Sequence, residues 1–272
     1  MNHTIREYAI ELALQAGDLL RTILARGLDS SRTWAKAGHY DIVTEADLAS
    51  EQLILNALRA AFPAHAIYAE ESAGGKLPEA DWLWLVDPVD GTTNYAHGLP
   101  VYAVNLALAH RGRPVLGVTH YPAGGQTFWA EAGGGAWLRD ASGADSRISV
   151  SAVSELNRSL LATGFIHGRI KGPDRSREVF WALDDRTQSV RRLGSAAMVL
   201  AWVAAGHLEA YWEAGLKPWD MAAGWLVVLE AGGRVTEYDG SPIRLDSPTL
   251  IASNGSPKIH EGIMRTIAQV QG

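Results

Sequence analysis

The sequence contains no cysteine. Disulfides, thiolate metal sites and cysteine nucleophiles are therefore excluded, while the redox compartment is left open. No apolar run approaches the roughly 20 residues needed to span a bilayer. The opening stretch "MNHTIREYAIELALQAGDLL" carries charges through its apolar pattern, unlike a signal peptide. A cytoplasmic protein with no membrane partner is expected. The nine histidines show neither H-x-x-x-H nor H-E-x-x-H spacing, which argues against zinc. No run of Lys or Arg is present and the formal charge is −6, so nucleic acid is not an expected partner. If the substrate is an anion, something other than bulk charge must attract it. Repeats and low-complexity linkers are missing as well.

What is present is an ordinary globular composition. Of 272 residues, 47% are hydrophobic and 20% charged, enough for a substantial core in one large or two modest domains. Apolar residues at Ile5, Ala9, Leu12, Ala13, Ala16, Leu19, Leu20 and Ile23 have helical spacing over residues 5–26. A second helix is predicted from about 45 to 61, opened by a capping box of Thr44 and Asp47 and followed by Pro63. From about 82 to 139, apolar stretches alternate with Gly/Pro turns, as in an antiparallel meander of four or five strands. Beyond residue 150 strands alternate with helices. They include a polar helix near 173–187, an apolar one near 196–205 and another after Asp220. The expected fold is thus an α+β half over 1–150, with helices on one face of an antiparallel sheet. It joins an α/β half over 151–272, with a cleft between the two.

One stretch stands apart. In "LVDPVDGTTNYAHGLP" (85–100), Asp87 and Asp90 sit where the apolar run "WLWLV" ends, and strand interiors disfavour Asp, Pro and Gly. A plain turn accounts for Pro88 and the Asp90-Gly91 pair equally well. Other acids have similarly plain readings. Glu70 and Glu71 suit solvated charges after a short strand, and Asp220, in "KPWDMAAG", suits a helix N-cap. Asp47 is explained by the capping box and Asp41 by a polar loop. Taken together they suggest more. A hard divalent cation takes oxygen ligands, often one or two carboxylates plus waters and substrate phosphate. Asp87 and Asp90 across a proline-stiffened turn can serve such ions, with the Val89 carbonyl exposed between them. Gly91, Thr92 and Thr93 then offer backbone N–H groups to a phosphate, and the Thr92 hydroxyl can orient a water. Bound cations would also reverse the local sign for an anionic substrate.

Five blocks in order, "DIVTEAD" (41–47), "AEES" (69–72), "DPVDGTTN" (87–94), "RRLGSAA" (191–197) and "PWDMAAG" (218–224), resemble the signature of the inositol monophosphatase family. Those enzymes are Mg²⁺-dependent, lithium-sensitive phosphatases. The resemblance covers nearly the whole chain and implies a layered α-β-α-β-α fold, usually a homodimer, acting on a small phosphorylated metabolite. By that resemblance Glu70, Asp87 and the Val89 carbonyl would hold one Mg²⁺, and Asp87, Asp90 and Asp220 a second. A third would share Glu70 with waters near Asp47. Thr92 and Glu70 would position the attacking water, and Gly91, Thr92 and Thr93 would grip the phosphate. Asp90, Asp220, Gly194, Ser195, Ala196 and Glu213 would line the pocket for the alcohol.

The implied reaction is hydrolysis of a phosphomonoester by a metal-activated water, without a covalent intermediate. Glu213 stands where the inositol branch binds ring hydroxyls, which points to myo-inositol monophosphate. Fructose 1,6-bisphosphate, histidinol phosphate, NADP and 3′-phosphoadenosine 5′-phosphate would need the same metal core. Arg191 and Arg192 would serve a second phosphate or simply be solvated. A catalytically dead relative acting as a binding protein should have lost Glu70, Thr92 or a ligand Asp, and all are present. Two local departures from the family pattern, "HYPAGG" (120–125) and "GFIHGR" (164–169), bear on the rim or the dimer contact and not on the metal ligands.

Overall fold

The computed structural model describes residues 3–27, 33–35, 42–165 and 175–271. The first helix, α1 (His3–Ala25), buries the stripe Ala9, Ala13, Ala16 and Leu20 that its periodicity announced. A short ladder of β1 (Thr33–Ala35) and β2 (Ile42–Thr44) leads into α2 (Glu45–Ala61). The capping box is formed as expected, with Thr44 and Asp47 satisfying each other's end of the first turn.

The larger sheet has seven strands in the order β3 (Ala66–Ala69), β4 (Trp82–Asp90), β5 (Ala103–His110), β6 (Arg113–Tyr121), β7 (Gln126–Glu131), β8 (Ala136–Arg139), β9 (Asp145–Arg147). A five-residue helix, α3 (Thr92–Ala96), separates β4 from β5. The meander from β4 onward is antiparallel, as predicted, but it is longer by the fully exposed β9. It also gains β3, which pairs parallel to β4 at the other edge. The strand β9 reads Asp-Ser-Arg and has no apolar alternation, so periodicity could not reveal it.

The second sheet orders β11 (Ser189–Arg191), β10 (Leu160–Thr163), β12 (Ala210–Ala214), β14 (Thr249–Ser253) and β13 (Arg234–Thr236). The first three are parallel, and β14 is antiparallel to both of its neighbours, β12 and β13. Between these strands run α4 (Ser176–Asp184), α5 (Ala196–Ala204), α6 (Pro218–Glu230) and the closing α7 (Pro257–Gln271). Positions 173 and 174, where the polar helix was expected to begin, lie outside the described residues.

Strand alternation then stacks five layers. On β4, Trp84 and Val86 face α1 and α2, while Leu83 and Leu85 face α5 and α6. The opposite side of α5 and α6 covers Tyr211, Leu250 and Ala252 of the second sheet. That sheet's far face, through Leu161, Trp212 and Ile251, is closed by α4 and α7. Ile259, Ile263 and Ile267 form the buried stripe of α7, each burial contributing about 1.5–3 kcal/mol. The helices α5 and α6 are apolar all round because both sheets use them.

Two buried histidines make the fold sensitive to acid. The Thr236 hydroxyl donates to the Glu237 carbonyl at 2.8 Å, so it accepts from Nε2 of His260 at 2.9 Å. The Ser253 hydroxyl then donates to Nδ1 at 2.8 Å, and the ring is held neutral. His120, on β6, packs against Gly17 of α1, where a Cβ would lie 2.4 Å from the imidazole. Burial pushes both rings down from 6.5 to about 4. The unfolded chain protonates these groups near 6.5, so it binds more protons than the folded one between the two values. Stability is therefore fully present above about 6.5 and is lost as pH falls toward 4, by at most about 3 kcal/mol per ring. Thermal melts should show that fall, and His260→Gln should flatten part of it; an unchanged slope in the variant would refute the assignment.

Candidate active site

The site starts from an irregularity in one strand. On β4 and β5, Asp87 pairs with Asn105 and Asp90 with Ala103, so three steps on one strand meet two on the other. That extra residue is a β-bulge. Residues three apart on a regular strand face opposite ways, and the bulge reverses this. Val86 and Val89 accordingly share the core under α1 and α2, which leaves Asp87 and Asp90 together on the other face. Pro88 suits the bulge because it has no N–H to pair, and its carbonyl accepts from the Ser50 hydroxyl at 3.1 Å. The Val89 N–H donates to Asp87 Oδ1 at 3.0 Å, which ties the turn. Gly91 follows with φ +92°, and a Cβ there would come within 2.9 Å of the Val101 carbonyl, so no other residue fits.

Two further acids arrive from other elements. The Glu70 N–H donates to the Val86 carbonyl, carrying the β3–β4 ladder one residue past its end. Asp220 comes from α6. The sequence suggested an N-cap there, but the helix begins at Pro218 and Asp220 occupies its third position, accepting from the Lys217 N–H at 2.7 Å. Proline at the first helical position explains the shift, since its missing N–H costs nothing there. Asn105, opposite Asp87 in the ladder, donates to the Trp219 carbonyl at 2.6 Å and fixes this helix start on the sheet.

Glu70, Asp87, Asp90 and Asp220 thus crowd together. Burial, and then repulsion from the other three, pushes Asp87 well above the ordinary carboxylate range; a hydrogen bond between Asp87 and Glu70 adds to the shift. Burial raises Asp90 to about 6, opposed by hydrogen bonds from the Ser195 hydroxyl and the Ala197 N–H, the latter at 2.8 Å. Asp47 is also raised, chiefly by burial, against hydrogen bonds from Thr44 and Thr92. Here the structure adds a role that the capping box concealed. One oxygen of Asp47 serves the cap, while the other accepts from the Thr92 hydroxyl at 2.9 Å. That hydroxyl also lies 3.0 Å from the Val89 carbonyl.

Asp90, Thr93, Gly194, Ser195, Ala196, Glu213 and Asp220 line one cleft of about 390 Å³. Every pocket residue suggested by sequence is therefore brought to one place. Three residues the sequence did not single out also matter. Tyr211 is buried and donates to a Glu213 oxygen, and Gly164 leaves room for that carboxylate, which a Cβ would overlap. Asn94 bonds the carbonyls of Val101 and Leu193 at 2.7 Å each, joining α3 to the Gly194 loop. Of the two neighbouring arginines, Arg192 reaches the cleft and stacks on Phe165 at 5.2 Å, whereas Arg191 turns back to Ser189. Residues 166–169 of "GFIHGR", and Asp41, lie outside the described residues.

A model of the inositol monophosphatase family matches residues 1–271. The chain belongs to that family. It is 41% identical to an inositol-1-monophosphatase of Synechocystis sp. over 95% of this chain and 88% of the relative. It is 40% identical to the Nus factor SuhB of Pseudomonas aeruginosa, covering 95% and 94%. Among solved structures, the inositol monophosphatase of Anabaena (Nostoc) sp. PCC 7120 superposes with a TM-score of 0.84 at 41% identity, covering 98% and 96% of the two chains. The layered α-β-α-β-α architecture is the inositol monophosphatase fold, and the bulge, the acid crowd and the start of α6 fall in the blocks that resemble the family signature.

Proposed function

We propose that the protein is a Mg²⁺-dependent phosphomonoesterase that hydrolyses myo-inositol monophosphate to inositol and inorganic phosphate. The observation that carries this reading is the group of four acids beside the Thr92–Asp47 pair, at one end of a cleft whose other wall presents Glu213. The donor set consists of oxygen atoms alone, which suits a hard cation. Among the described residues no three His, Asp or Glu side chains stand ready-made as a metal cluster; Glu70 and Asp87 hydrogen-bond to each other. Buried carboxylates this close repel one another, and divalent cations would relieve the repulsion. Glu70, Asp87, the Val89 carbonyl, Asp90 and Asp220 would hold two Mg²⁺, with a third near Glu70 and Asp47. When bound, such ions supply Lewis-acid polarisation of phosphate and water.

The chain's own residues do the rest. The Thr92 hydroxyl gives its hydrogen to Asp47 or Val89, which leaves its lone pairs to accept from a water. As that water attacks phosphorus, Thr92 takes its proton and passes its own to Asp47, whose burial makes it a better base. The first N–H groups of α3, from Gly91 to Thr93, have no carbonyl within the helix to bond and so face the phosphate. Glu213, fixed by Tyr211, accepts from ring hydroxyls of the alcohol. As the ester P–O bond breaks, the leaving oxygen takes a proton from a water held near Asp220 and departs as the alcohol.

Phosphate release should be measured on myo-inositol 1-phosphate, fructose 1,6-bisphosphate, histidinol phosphate, NADP and 3′-phosphoadenosine 5′-phosphate, with Mg²⁺, without it, and with lithium added. Mg²⁺-dependent turnover highest on inositol phosphate supports the proposal. A preference for a bisphosphate keeps the chemistry and moves specificity to Arg192. No turnover on any of them would overturn it in favour of a binding role, as the name Nus factor carried by one relative would suggest.

A further inference from the structure

A second cleft, of about 1190 Å³, opens between the two sheets and is about three times the volume of the catalytic one. Its floor is apolar, made by Leu83 at the start of β4, Trp225 of α6 and Leu245 of the β13–β14 connection, all buried. Leu83 stands four residues before Asp87, or about 13 Å along the strand, so this is a separate place from the acid cluster. Trp225 is carried by the helix whose first turn holds Asp220.

The rim is mixed, four cations against three acids, and three of the cations, Lys76 among them, are paired with those acids, which leaves an excess of one positive charge. Arg111, Arg113 and Arg244 stand around the floor, on a protein of formal charge −6. Arg111 occupies a two-residue hairpin turn with Gly112, at φ values of +51° and +77°. Such turns take Asn-Gly by preference, and Arg111 is the one non-glycine residue with positive φ among the described residues. Its side chain explains the exception: Nε donates to Asp81 at 3.0 Å and its backbone N–H to the Asp81 carbonyl at 2.8 Å, which builds the wall of the cleft. Arg244 is likewise occupied, by Glu237 and Asp246, each at 3.2 Å. Arg113 has no ion-pair partner among the described residues and is exposed beside the apolar floor.

The geometry points to a second ligand site, for a small amphipathic organic anion whose apolar body lies on Leu83, Trp225 and Leu245 and whose single acidic group meets Arg113. An apolar floor with one unneutralised cation at its edge selects that chemistry over a purely polar metabolite. The body is either aromatic or acyl, and two probes separate these sources. Naphthalene-1-sulfonate and octanesulfonate share the anionic head and neither can be hydrolysed, so binding is read independently of any phosphatase activity. Titration calorimetry should be run with inorganic phosphate in excess, on the full chain and on Arg113→Glu. One-to-one binding of either probe, weakened about tenfold or more by Arg113→Glu, is the expected result. No saturable binding of either below about 1 mM, or equal binding by the variant, would overturn the assignment.

Discussion

Replacing Asp87 by asparagine should abolish turnover, by about three orders of magnitude or more, while the protein stays folded. The substitution is nearly isosteric, and the amide oxygen can still accept from the Val89 N–H that closes the bulge. What disappears is one negative charge at the centre of the acid crowd. Burial displaces the carboxyl of Asp87 well above the ordinary range, and Asp87 is also the member that feels all three of the others. Removing that charge lessens the repulsion, so the ion-free variant should melt at or above the parent. The parent should gain melting temperature on adding Mg²⁺, because a ligand bound only by the folded state stabilises it. The variant should lose most of that gain. Near-normal hydrolysis at saturating Mg²⁺ would sink the assignment, and so would a variant that simply fails to fold in the absence of metal.

The second large effect belongs to Thr92. Thr92→Val keeps the shape and the backbone N–H but deletes the hydroxyl that joins Asp47 to the Val89 carbonyl. Positioned proton transfer is worth about 10²–10⁴ in rate, and that is the expected loss in kcat. KM should change little, because the groups that hold the phosphate remain. Thr92→Ser should recover most of the activity, since it restores the oxygen. A loss under tenfold in the valine variant, or a serine variant no better than valine, would show that the hydroxyl is not in the proton path.

The two substitutions also mark how much of the site could be read from the chain. Thr44, Asp47 and Pro63 announced α2 correctly because a capping box acts over four residues. The same local rule hid the second use of Asp47, since its contact with Thr92 spans 45 residues. The aspartates of β4 were visible as oddities in an apolar run, but their shared face depends on a bulge set by the register against β5. Pro88 was the one local hint. Tyr211 looked like any residue of a buried strand, and its hydroxyl acquires meaning only where Glu213 and Gly164 meet. Asp220 was misplaced by three positions, from the N-cap to the third residue of its helix, because a Lys-Pro start offers no side-chain cap to recognise. The two halves, helices on an antiparallel meander and then alternating strands and helices, were legible from the apolar patterns, while their stacking in five layers was implied only by the family resemblance. The short strand before Glu70 was legible too, but its parallel pairing at the sheet edge as β3 was not, because pairing partners are chosen by the whole sheet.

The bonds that close the candidate cleft have a consequence for the order in which the protein comes into being. Asp90 is held by Ser195 and Ala197 across 105 and 107 residues, Asn94 reaches Leu193 across 99, and Asn105 reaches Trp219 across 114. Closing loops of that length carries an entropic cost that local helices and hairpins avoid, so these bonds form after them. On the ribosome, three of the four acids emerge long before the fourth, and the segment that restrains Asp90 is made later still than Asp90 itself. A nascent chain can therefore complete its meander while the four acids of the candidate site remain unassembled. On the proposed function, the first turnover would signal that the last third of the polypeptide has docked.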